Sequence, residues 1–147
     1  MPSKPAPTID PTTLMPLGND RRVGVLTSGG DAQGMNAAVR SVVRTCLALG
    51  ARPFAVLEGW AGAVEGGDSV KEMTWSDASG ILAEGGTVIG TARCPEFRDY
   101  SGRHAAALHL LEHGIDRLVV IGGDGSLSGT AEFRSEWTQH IGELVAA

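Results

Sequence analysis

The sequence predicts a three-layer α/β fold, a Rossmann-like parallel sheet with helices on both faces. Short apolar runs, such as Leu118-Val119-Val120-Ile121, alternate with longer stretches whose apolar residues recur at helical spacing. Two of these runs lead straight into glycine-rich turns and then into helical patterns, the βα arrangement of a parallel sheet with right-handed crossovers. Glycine is also abundant, at 21 of 147 residues. It sits mainly in the turns, so it punctuates structure rather than forming a low-complexity tract.

The elements follow in order. Residues 1–20 hold prolines at 2, 5, 7, 11 and 16 and show no hydrophobic period, which predicts a disordered N-terminal arm. The length of the remainder, 21–147, suits one domain. A strand over 22–27 leads to a helix over about 34–49, with Val39, Val42, Val43, Cys46 and Leu47 on its apolar side and Gly50 as its C-terminal stop. Residues 52–57 read as a strand with Pro53 at its edge, and 58–68 as loop. A short helix is expected over 75–83, with Thr74 as its cap. Gly85-Gly86 then turns into a strand over 87–90, followed by a polar loop over 93–99. A helix over 101–113 stops at Gly114, and a strand over 117–121 runs into a glycine loop. A helix extends from that loop to about Trp137, with the last ten residues adding another.

Composition narrows the function. A net charge of −5 disfavours broad nucleic-acid binding, which works by phosphate neutralisation, but leaves room for a small phosphorylated ligand. Cys46 and Cys94 have no metal-ligand spacing, and the sequence shows no secretory signal, so a reduced, cytoplasmic setting is expected. No apolar stretch approaches the length of a membrane span. His109 and His113 share a helix face, but without a further ligand pattern they read as surface residues and not a zinc pair.

The chemistry lies in the turns. Gly122-Gly123-Asp124-Gly125-Ser126 follows a strand and sets one carboxylate among three glycines. Glycine lets backbone N–H groups approach phosphate oxygens, whereas a bare carboxylate would repel them. A divalent cation between the two resolves the conflict, and Mg²⁺ is usual with nucleotide phosphates. A second turn, Thr27-Ser28-Gly29-Gly30-Asp31-Ala32-Gln33-Gly34-Met35-Asn36, also joins a strand to a helix whose N-terminus suits an anion. It is not a Walker A loop, because Met35-Asn36 replaces Lys-Ser/Thr, and it has no G-x-G-x-x-G. Both turns fall at the carboxyl edge of the sheet, as does the loop carrying Arg93, Cys94 and Arg98, so three loops are expected to converge on one ligand. Arg93 and Arg98 suit phosphate oxygens there.

Three motifs in order, Gly29-Gly30-Asp31-Ala32-Gln33-Gly34-Met35-Asn36, Gly85-Gly86-Thr87-Val88-Ile89-Gly90-Thr91-Ala92-Arg93 and Gly122-Gly123-Asp124-Gly125-Ser126, resemble the 6-phosphofructokinase family. The likeness runs from residue 22 to about 137 and takes in Glu58-Gly59-Trp60 and Phe133-Arg134-Ser135-Glu136-Trp137, wording that looks like the eukaryotic-type enzymes. It implies the N-terminal part of an ATP-binding domain and ATP-dependent phosphorylation of fructose 6-phosphate. Gly30 would contact the ATP phosphates, while Arg93 and Cys94 would line the ATP site, with Arg93 reaching the phosphoryl group in flight. Gly123, Asp124, Gly125 and Ser126 would hold ATP, with Asp124 on Mg²⁺. Glycine at 125, where pyrophosphate-using relatives commonly carry aspartate, implies an ATP user. Trp60 stands where the family often has a tyrosine near the nucleotide, or it simply packs. Arg40 and Arg44 match positions that bind phosphorylated effectors in bacterial relatives, or form a solvated face.

The resemblance also implies a homotetramer at full length. It places the family's catalytic aspartate, in a Thr-Ile-Asp segment, and its sugar-phosphate residues beyond Ala147. Thr8-Ile9-Asp10 lies before the first strand and carries no such role. No catalytic residue is therefore expected here, and these 147 residues alone are expected to lack useful kinase activity. Two other readings stand beside this one. A different kinase with a Gly-Gly-Asp-Gly loop, acting on NAD or a lipid, is opposed by the Thr-Ser-Gly-Gly-Asp and Gly-Thr-Ala-Arg segments. The other is a non-catalytic or truncated nucleotide-binding module.

Overall fold

The computed structural model describes residues 21–146; the N-terminal arm expected over 1–20 lies outside them. The elements are β1 (Arg22–Ser28), α1 (Met35–Ala48), β2 (Arg52–Val56), α2 (Trp60–Glu65), β3 (Val70–Glu72), α3 (Tyr100–Glu112), β4 (Ile115–Gly122) and α4 (Asp124–Ala146). The sheet order is β3-β2-β1-β4. β1 lies parallel to both β2 and β4, with Val25 opposite Ala55 on one side and Val119 on the other. β3 adds a short antiparallel edge that the sequence did not signal. The Rossmann-like α/β class is as expected.

Side chains alternate across the sheet. Leu26, Phe54 and Val56 meet Trp60, Ala107, Leu110 and Phe133 of α2, α3 and α4 on one face. Val25 and Ala55 meet Val39 and Val43 of α1, with Ala78 and Ile81, on the other. α1 ends at a glycine as the sequence predicts. Gly50, at φ 74°, donates to the Leu47 carbonyl, and Ala51 donates to that of Cys46, the paired bonds of a Schellman stop. Pro53 lies in an interior strand, but Met73 N–H still donates to its carbonyl at 2.8 Å.

Five local expectations need correction. Residues 58–68 contain helix α2 and the 3₁₀ turn Gly67–Ser69, not only loop. The helix expected over 75–83 is a set of turns ending in the 3₁₀ segment Ile81–Ala83, because Gly80, at φ 81°, leaves the helical region between the two. The polar loop over 93–99 contains the 3₁₀ turn Pro95–Arg98, whose Phe97 is buried. The strand expected over 87–90 does not form. Gly86 and Gly90 have φ of 79° and 75°, which breaks an extended run, and the segment is bonded to side chains instead of a ladder. Finally, α4 is one 23-residue helix rather than two.

A polar cluster joins α3 to α4. His140 is fully buried, with its Nδ1 3.2 Å from His104 Nδ1 and its Nε2 3.4 Å from Glu136. Burial pushes the His140 imidazole below its ordinary value of 6.5, against the opposing pull of Glu136. The unfolded chain therefore takes up this proton before the folded chain does. The stability due to neutral His140 is complete above pH 6.5 and declines as pH falls through the folded value. Thermal melts between pH 7.5 and 5.5 should show the midpoint falling with acid, and His140→Leu should flatten that fall. An equally steep fall in the variant would rule His140 out as its source.

Candidate functional site

The carboxyl ends of β1 and β4 are in register, Ser28 beside Gly122, so their following turns adjoin. Ser126 Oγ donates to Ser28 Oγ at 2.8 Å. A Cβ on Gly122 would lie 2.5 Å from the Ser28 carbonyl, so glycine is needed for the strands to approach. Only Gly123 separates β4 from α4. Its carbonyl accepts the Leu127 N–H at 3.0 Å, so Asp124, Gly125 and Ser126 form the first helical turn. The first N–H groups of a helix have no intrahelical partner and carry the positive end of its dipole. Asp124 is exposed at this end.

The third segment is tied to the same edge. Thr91 Oγ1 donates to the Gly29 carbonyl at 2.8 Å, and Thr27 Oγ1 donates to the Gly90 carbonyl at 2.8 Å. With its proton so placed, Thr27 Oγ1 accepts from Thr87 Oγ1 at 2.7 Å. From α1, buried Asn36 gives its side-chain N–H groups to the carbonyls of Glu84 and Gly85 and takes the Val88 N–H at 2.7 Å. Its own backbone N–H donates to Gly86. Asn36, Thr27 and Thr91 hold the site together, yet the sequence offered no sign of this, because their partners lie roughly 50–60 residues away.

Three glycines here are not required by the fold. Gly30, Gly123 and Gly125 have no heavy atom within 4 Å of where a Cβ would lie, and none has positive φ. Neither packing nor backbone conformation demands glycine at these positions. A side chain at each would fill only open space, and such room beside a strand-to-helix turn suits phosphate oxygens approaching its backbone N–H groups. An exposed carboxylate in the same turn fits a hard cation between them.

The other expected residues divide. Arg93 and Arg98 are exposed on the third segment, without an ion pair among the described residues. Cys94 is half-buried against the α2–α4 core, and burial pushes its thiol up. Cys46 and Cys94 are both free thiols. Trp60 is buried, stacked on Phe97 with centroids 3.9 Å apart, so it packs. Arg44 lies 3.6 Å over the Trp75 ring and donates to Ser79, fixing the 75–79 turn against α1. His109 faces the Ala63 carbonyl, and no cluster of metal-ligating side chains occurs among the described residues. No helix among them is long and apolar enough to cross a membrane.

The model of one family, phosphofructokinase, matches residues 22–146. The chain belongs to the phosphofructokinase family. It is 57% identical over 131 residues to the muscle-type ATP-dependent 6-phosphofructokinase of Macaca fascicularis, covering 89% of this chain and 17% of that protein. It is 53% identical over 138 residues to the human liver-type enzyme, covering 94% of this chain and 18% of the relative. The solved phosphofructokinase of Saccharomyces cerevisiae superposes with a TM-score of 0.84 at 55% identity, over 86% of this chain and 17% of the yeast chain. The chain thus spans less than a fifth of the length of these phosphofructokinases.

Proposed function

We propose that the carboxyl edge of the sheet is the Mg·ATP phosphate site of an ATP-dependent 6-phosphofructokinase, which transfers the γ-phosphoryl group to the 1-hydroxyl of fructose 6-phosphate. The observation that carries this is the cradle of Gly30, Gly123 and Gly125, glycines that the fold itself does not require. Backbone N–H groups of the Gly29–Gly30 turn and the first turn of α4 receive the phosphates, with Ser126 and Cys94 lining the site. Asp124 holds Mg²⁺, which when bound neutralises phosphate charge. Arg93 approaches the transferring group from the third segment and stabilises its charge. Phosphoryl transfer depends on such positioning and charge stabilisation more than on covalent chemistry by the protein. The relatives' names support ATP as donor and fructose 6-phosphate as acceptor. A cytoplasmic homo-oligomer, a tetramer at full length, belongs to the same reading.

Calorimetric titration of the 147-residue chain with Mg·ATP tests it. Binding should be measurable and should weaken at least about tenfold in Asp124→Asn, because a charge-assisted metal contact is lost. Equal affinity in the variant would remove Asp124 from the site. On this reading the base for the sugar hydroxyl is not among these 147 residues, so we expect no fructose 1,6-bisphosphate from them in a coupled assay. Turnover at enzyme-like rates would overturn that half of the reading.

A further inference from the structure

Glu58 is the one non-glycine residue with positive φ among the described residues, at 56°. Glycine or asparagine occupies such a backbone at lower cost, so the surrounding structure must hold glutamate there. The left-handed turn aims both of its backbone groups at one segment. Its N–H donates to the Ile89 carbonyl at 2.9 Å, and its carbonyl accepts the Ala92 N–H at 3.3 Å. Its carboxylate covers Gly90, where a Cβ would collide with it. The next residue, Gly59, lies so close to β1 that a Cβ would stand 2.5 Å from the Thr27 carbonyl. Glu58 therefore sits between the end of β1 and the strap 89–92, and Ala92 immediately precedes Arg93. The Arg93 side chain is exposed, so its placement depends on how firmly this strap is held.

We propose that Glu58 is a positioning residue for Arg93, locking the strap so that the guanidinium meets the outermost phosphate. The proposal rests on the phosphate-site reading above, and its test separates the two. The readout is the ratio of Mg·ADP to Mg·ATP dissociation constants for the 147-residue chain, which isolates the γ-phosphate contact. Arg93→Ala should lower this ratio about tenfold, the effect of one charge-assisted contact. Glu58→Ala should lower it about fivefold through lost orientation. Glu58→Gly should do the same while melting no lower than the parent, because it relieves the positive φ and still loses the carboxylate that covers Gly90. In the Arg93→Ala background, Glu58→Gly should change the ratio by less than about twofold, since it acts through the missing guanidinium.

A ratio unchanged by Arg93→Ala, or no Mg·ATP binding at all, would overturn the phosphate role of Arg93 and this proposal with it. A ratio that responds to Arg93→Ala but not to either Glu58 variant would overturn the proposal alone. So would a full, additive loss from Glu58→Gly in the Arg93→Ala background, which a merely structural role gives.

Discussion

Replacing Arg103 with alanine should destabilise the chain by about 3–5 kcal/mol, the loss expected when one partner of a buried ion pair is removed. The Arg103 side chain is only 5% exposed. Its Nε and Nη2 form a fork on Glu136 at 2.6 and 2.8 Å, and Nη2 also lies 3.2 Å from Glu132. Its Nη1 donates to the carbonyls of Phe97 and Arg98. The hydrogen bond to Arg103 holds the Glu136 carboxyl below the usual range, so Glu136 stays charged and would be left without its main partner. Two carbonyls would lose their donor as well, at about 1–3 kcal/mol for each group left buried and unpaired. The Pro95–Arg98 turn carries Phe97, which stacks on Trp60 and contacts Phe133, so the damage should spread into the core. Urea unfolding measures the loss. Arg103→Lys should recover little of it, because an ammonium cannot supply the planar fork. A loss below about 1 kcal/mol in Arg103→Ala would mean the network is not structural.

Gly125→Asp should abolish nucleotide binding while leaving the fold intact. No atom lies within 4 Å of a Cβ at Gly125, and its φ is not positive, so the new side chain meets neither a clash nor backbone strain. An acidic residue in the first turn of α4 also suits the helix dipole, so stability should stay within about 0.5 kcal/mol of the parent. The carboxylate would instead occupy the cradle. Two like charges about 4 Å apart at a protein surface repel by roughly 4 kcal/mol at an effective dielectric of 20, enough to weaken Mg·ATP by a factor of 100 or more. Calorimetry and a thermal melt on the same sample separate the effects. Retained affinity would place the phosphates elsewhere, and a collapsed melting temperature would show that glycine at 125 serves the fold.

What could be read from the chain followed from local chemistry. Gly50 and Gly114 announced the ends of α1 and α3, and the apolar runs located β1, β2 and β4. Two strands followed by glycine turns were enough to bring both turns to one edge. The 87–90 segment misled because its β-branched residues are held by Asn36 and Thr27, whose partnership no local window contains. α2 was hidden by the glycines around it, although its six residues include the most closely stacked aromatic in the core, Trp60. In α4, the residues beyond Trp137 continue the helix because Trp137 and Leu144 pack on the same core as Phe133, a tertiary reason with no local signal.

The hydroxyl contact between Ser28 and Ser126 joins residues 98 positions apart. Pairing of β1 with β4 is thus an entropically costly loop closure, since distant contacts demand that chain entropy be surrendered before they reward it. The site proposed for the phosphates is incomplete in any partly folded chain that lacks this closure. A ligand seated there binds only the closed form, so its free concentration sets how far the folding equilibrium is pulled toward completion. Nucleotide supply and folding yield would then be coupled through a single pair of neighbouring strands.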